Sequence, residues 1–144
     1  MDRNYLLLNM KYFKQAFLFL AFGTLIFILG GVGLIPVALD SAYLIWLFGF
    51  VVSMVFGITN IMIPSYAKSP EFSTGMIRTE IICLDAGLIL LFAALNLKLP
   101  VPIFALASSL LFLSVLIHIY DIMFAAGRSA DSRMESGVGS QHVR

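Results

Sequence analysis

Four apolar blocks divide the chain. They run from about Ala16 to Pro36, Tyr43 to Pro64, Thr79 to Leu97 and Pro102 to Ala126, and nearly all charged residues fall outside them. A hydrocarbon core roughly 30 Å thick is crossed by about 20 apolar residues in α-helix, so each block predicts one membrane-spanning helix. The connections near Asp40 and from Lys98 to Val101 are short, which makes neighbouring helices antiparallel. The predicted architecture is all-α: a polytopic membrane protein with a four-helix antiparallel bundle over 16–126. Residues 1–15, "MDRNYLLLNMKYFKQ", mix aromatics, leucines and lysines and are predicted to lie along the cytoplasmic interface. Residues 127–144, "GRSADSRMESGVGSQHVR", are polar and rich in glycine and serine, and are predicted to be a cytoplasmic tail, disordered unless a partner holds it. His142 belongs to this tail and carries no special reading.

Composition sharpens this picture. The chain has 144 residues, of which 60% are hydrophobic and 12% charged, and its mean hydropathy is +0.99. Soluble domains carry about twice that charge, and the formal net charge of +1 gives no footprint for nucleic acid. The single cysteine, Cys83, lies inside the third block, and no internal disulfide is available to it. Lys11 and Lys14 before an apolar run imitate a signal peptide. The run is longer than a signal's apolar region and no clear small-residue cleavage site follows it, so it is read as a retained first helix. Of the nine lysines and arginines, only Lys98 falls on the side opposite the others. The positive-inside rule therefore predicts cytoplasmic termini and a cytoplasmic middle loop, in the cell membrane. The partners this implies are the lipid bilayer and other integral membrane subunits, with no soluble substrate.

Ionisable groups are costly in a bilayer and mark bundle interiors or sites. Here they are Glu80, Asp85, His118 and Asp121, with Asn60 as a neutral companion. At 1.5 Å per residue, Asp85 and His118 both lie roughly 12 Å from the cytoplasmic ends of helices 3 and 4, Asp121 roughly 8 Å and Glu80 roughly 5 Å. His118 and Asp121 are three apart and share a helix face. His118 is thus expected within reach of Asp85 or Asp121. Three readings follow. The groups form a structural polar cluster that fixes helix packing. Alternatively, His118 with Asp85 or Asp121 handles protons or a quinone head, since a carboxylate orients an imidazole and supports its charge. In the third, His118 ligates a metal or haem, for which a lone histidine is a poor donor set. No cofactor and no metal is expected from the residues themselves.

Other patterns concern packing. Gly49, Ser53 and Gly57 repeat every four residues, a small-residue stripe that lets another helix approach closely, and Asn60 continues it. Gly30, Gly31 and Gly33 are followed by no lysine and form no phosphate loop; they allow close contact or loosen the end of helix 1 before Pro36. Phe17, Phe19, Phe22 and Phe27 are read as facing lipid or other helices. The sequence shows no nucleophile–base pair, cysteine–histidine cluster or dinucleotide fingerprint, and no catalytic residue is assigned.

The stretch Gly49 to Leu91 resembles short membrane proteins related to subunit I of haem–copper oxidases. The residues that carry the resemblance are Gly49, Phe50, Val51, Phe56, Gly57, Pro64, Tyr66, Pro70, Ala86, Gly87 and Leu88, across about a third of the chain. Relatives that bind haem place histidines just before the final proline and near the helix start. Here those places hold Asn60, Ile61 and Met62, and Ala42, Tyr43 and Leu44. The resemblance implies the scaffold without the haem, and a non-catalytic accessory subunit of a membrane redox complex such as a respiratory oxidase or a copper-dependent monooxygenase. A small quinone-, haem- or proton-handling protein using His118, Asp85 and Asp121 is the alternative. A transporter subunit is a third reading, weakened because nothing in helix 1 completes a polar path.

Overall fold

The computed structural model describes residues 3–37, 39–67 and 72–139, of which Asn4, Ala67 and 125–139 are described by their backbone. Helix α1 spans Arg3–Gly31. Helix α2 is continuous but built of three pieces: α-helical Leu39–Leu44, a π-helical stretch Ile45–Val52, and α-helical Ser53–Ala67. Helix α3 spans Thr74–Asn96 and α4 spans Val101–Gly139. All four contain stretches long and apolar enough to cross a membrane, and there is no strand among the described residues. The chain is an all-α, four-helix membrane protein. Lys68 and Pro70 in the middle connection, and His142 and Arg144 at the end, lie outside the described residues.

The interfacial segment expected over 1–15 is, over 3–15, part of one helix with the first span. Tyr5, Leu8, Tyr12 and Ala16 fall at helical spacing on one face of α1 and are all buried. That face packs against Phe56 of α2 and Ile77 of α3, so the helix begins at Arg3 and runs unbroken into the span. The tail differs as well. Once a helix exists, each further residue adds a hydrogen bond without a new nucleus. Arg128, Ala130, Arg133, Met134 and Glu135 are good helix formers, and the helical backbone continues to Gly139 rather than ending at residue 126.

The two short turns close in the same way. Gly33 sits in the left-handed region with φ +75°, its amide donates to the Gly30 carbonyl, and the Leu34 amide donates to the Leu29 carbonyl. This pair of bonds is a Schellman motif, which satisfies the last carbonyls of α1. Lys98 plays the same part after α3, with φ +50° and the Leu99 amide on the Ala94 carbonyl. A side chain there is strained where glycine is not.

Packing depends on glycines that let backbones meet. A Cβ on Gly49 would lie 2.5 Å from Phe19 Cγ, and one on Gly57 would lie 3.0 Å from Tyr12 Cβ. The stripe Gly49, Ser53, Gly57 and Asn60 is buried and turned to α1. Two further glycines work alike. Gly23 of α1 makes room for the Trp46 indole, and a Cβ on Gly87 of α3 would lie 2.8 Å from Leu111 Cγ. Phe19 and Phe27 pack against α2, whereas Phe17 and Phe22 are exposed. Lipid tails are as apolar as leucine, so close van der Waals contact of this kind holds the helices together.

Candidate functional site

The turn at Lys98 sets the register of α3 against α4. Gly87 faces Leu111, and an equal step away from the turn along each helix leads to Glu80 and His118. Glu80 is fully buried. Its Oε1 accepts a hydrogen bond from the Tyr12 hydroxyl at 2.6 Å and lies 3.2 Å from His118 Nδ1. That second contact has the distance of an ion pair but not the alignment of a hydrogen bond, and Glu80 Oε2 has no hydrogen-bond partner among the described residues. The main-chain carbonyl of Glu80 accepts from Ser114 Oγ at 3.2 Å.

His118 is held on three sides. Its Nε2 lies 2.7 Å from Thr59 Oγ1 of α2. Its ring stacks on Phe56, with centroids 3.9 Å apart and planes at 18°. Thr59 Oγ1 also lies 2.9 Å from the Val55 carbonyl, a helical back-bond that uses the single hydroxyl proton. The hydroxyl is then left as an acceptor, so Nε2 carries a proton and donates it. This fixes the tautomer and leaves Nδ1 to face Glu80. Each helix thus supplies one group: Tyr12 from α1, Thr59 from α2, Glu80 from α3 and His118 from α4.

Of the two carboxylates expected near His118, Asp121 interacts with it electrostatically, whereas Glu80 takes the place expected of Asp85. Asp85 is half-buried and accepts a hydrogen bond from Gln15 Nε2 of α1. It sits nearer the α3–α4 turn than Glu80 does, and counted from that turn it is Glu80 that lies level with His118. Asp121 is buried one turn beyond His118, and its Oδ2 has no hydrogen-bond partner among the described residues. Tyr12 and Gln15, which the sequence places in the interfacial segment, are supplied by α1. Tyr12 and Thr59 went unrecognised in the sequence. The signal was there in the helical spacing of Tyr5 and Tyr12 and in the adjacency of Thr59 to Asn60.

Asn60 is fully buried, and neither atom of its side-chain amide has a protein partner. Its main-chain carbonyl accepts the Tyr5 hydroxyl. Pro64 explains this bond. Proline has no amide proton to give the carbonyl four residues before it, and for Pro64 that carbonyl belongs to Asn60. The predicted end of helix 2 at Pro64 is displaced to Ala67 because Tyr5 satisfies the freed oxygen.

Haem does not fit the histidine as it stands. One ring nitrogen of His118 donates to Thr59 and the other faces Glu80, so neither is directed at an axial position. Among the described residues, no group of three or more histidine, cysteine, aspartate or glutamate side chains is arranged to hold a metal ion. Comparison with protein-family models, with curated proteins and with solved structures finds no match.

Proposed function

We propose that the protein is a non-catalytic subunit of a membrane redox complex, and that its part is to hold and pass a proton at Glu80 and His118. It would lie in the cell membrane with both termini cytoplasmic. The observation that carries this reading is a fully buried carboxylate with an imidazole nitrogen at 3.2 Å and a phenol at 2.6 Å on the same oxygen. A buried charge without a partner is strongly destabilising, whereas a pair that can neutralise itself is tolerated. With Nε2 fixed as a donor, one further proton has two resting places, Nδ1 or the carboxylate. Moving it between them keeps the pair neutral overall. It requires only rotation of the Glu80 carboxylate, a soft terminal torsion, to align the contact. The resemblance over Gly49 to Leu91 supports a redox complex as the setting, and the basic residues support the orientation.

The test is purification of the wild type, Glu80→Gln and His118→Gln from the native membrane in mild detergent. All three should retain the same co-purifying integral subunits. Proton-coupled turnover of the complex should fall by about a hundredfold or more in both variants, the scale of a lost proton-transfer group, and its pH profile should change. Unchanged turnover with lowered thermal stability would reduce the cluster to helix packing. A chain that purifies without partners would overturn the subunit reading.

A further inference from the structure

We propose that the groove between α1 and α3 binds a phospholipid with an anionic headgroup. The groove encloses about 620 Å³. Its polar mouth is formed by Lys11 and Lys14, both exposed. No ion pair among the described residues reaches either lysine. Deeper along α1 the lining becomes Gln15 with Asp85, and then wholly apolar at Leu18, Phe22 and Ile89. Charge, then hydrogen-bonding groups, then hydrocarbon is the order of chemistry along a glycerophospholipid.

The depth agrees with that occupant. The apolar stretch of α1, Tyr5–Gly31, has 27 residues, about 40 Å of helix against a hydrocarbon core of about 30 Å. The excess is about two turns, which brings Lys11 to the headgroup boundary and Lys14 within one turn of it. A phosphate there meets two ammonium groups. The Gln15 amide donates to the Asp85 carboxylate and has a second N–H to offer an ester carbonyl. Asp85 repels an anion, which keeps the phosphate at the mouth. An acyl chain would cover Leu18 and Ile89, which are 71% and 65% exposed.

The test uses the full chain in mild detergent, titrated with dioleoyl phosphatidylglycerol or dioleoyl phosphatidylcholine, with retained lipid read by native mass spectrometry. The expected result is a single phosphatidylglycerol retained per chain, favoured by about tenfold over phosphatidylcholine. Lys11→Gln and Lys14→Gln should each weaken retention about fivefold, the effect of one cationic side chain near an anionic headgroup. Lys98→Gln, beyond the other end of α3, should leave it unchanged. Ile89→Trp should lower retention by filling the apolar limb while the lysines remain, and thermal unfolding would check that each variant is folded. Equal retention of the two lipids would overturn the proposal, as would equal losses in the Lys98→Gln control. Displacement of the lipid by millimolar inorganic phosphate would assign the lysines to a free anion instead. A short-chain ubiquinone that displaces phosphatidylglycerol from wild type and lysine variants alike would assign the groove to a neutral ligand and overturn it too.

Discussion

The hydroxyl of Tyr5 donates to the carbonyl oxygen of Asn60, the acceptor that Pro64 leaves without its helical amide. A polar group near the start of α1 thereby repairs a defect near the end of α2. Tyr5→Phe should lower stability by about 1–3 kcal/mol, because a buried carbonyl loses its partner. Pro64→Ala restores an amide at that carbonyl, and in its background Tyr5→Phe should be nearly neutral. Thermal or denaturant unfolding of the four proteins in one detergent forms a double-mutant cycle that measures the coupling. Additive effects would mean that the two residues act separately.

His118→Phe should destabilise the bundle by about 3–5 kcal/mol, since it leaves Glu80 buried without its imidazole partner. Glu80→Gln combined with His118→Phe should be milder than His118→Phe alone, because position 80 then carries no charge. His118→Gln keeps a hydrogen-bonding group and should fall between wild type and His118→Phe. Unfolding midpoints of the variants give the order, and the reverse order for the double variant would show that the Glu80–His118 contact does not govern stability.

The glycine contacts predict a graded series. Gly49→Ala and Gly87→Ala place a methyl group against Phe19 and Leu111 and should each cost about 1–3 kcal/mol of overpacking. Gly57→Leu, facing Tyr12 and Phe13, should block assembly outright. Leu47→Ala, at an exposed position of α2, should be close to neutral. Yield of folded monomer in detergent checks the series.

Lys98→Gly should stabilise the protein by about 0.5–1 kcal/mol. The position holds a left-handed backbone at the end of α3, where glycine removes the steric conflict of a Cβ. Unfolding at matched detergent concentration reads the gain. A loss would mean that the lysine side chain contributes more than its backbone strain removes.

The orientation predicts cysteine accessibility. A cysteine introduced at Asp40 should be labelled by an impermeant maleimide added outside intact cells, and one at Ser129 only after permeabilisation. The native Cys83 is buried and gives little background. The opposite pattern would invert the molecule in the membrane.

The class of fold was legible in the sequence because 20-residue apolar blocks admit few alternatives. Glu80, His118 and Asp121 were legible as buried for a related reason: an ionisable group inside such a block is rare enough to be conspicuous. Their partners were not. Asp85 and His118 were matched by depth from the helix ends, yet α4 runs through Gly127 and on to Gly139. The register is set at the other end, by the turn at Lys98 and the approach of Gly87 to Leu111. Tyr12 was hidden because a tyrosine flanked by lysines and leucines reads as interfacial. Only its spacing from Tyr5, Leu8 and Ala16 marks the inward face. The role of Asn60 was also misplaced: its buried carbonyl, rather than its amide, makes the contact that α2 requires.

The contact between Glu80 and His118 also bears on biogenesis. Both residues belong to the hairpin of α3 and α4, closed by the turn at Lys98, so the carboxylate and the imidazole enter the bilayer on one hairpin and neutralise each other there. The hairpin of α1 and α2 masks its own liability, the oxygen freed by Pro64, with Tyr5. Among the described residues, the hydrogen bonds that join the two halves are those of Tyr12 to Glu80 and the Ile77 carbonyl, of Gln15 to Asp85 and of Thr59 with His118. The chain can therefore be inserted as two self-sufficient pieces whose docking completes the cluster last. Two fragments divided between Ala67 and Phe72 and co-expressed should assemble into one detergent-stable complex, and Tyr12→Phe should weaken that assembly more than it weakens either fragment.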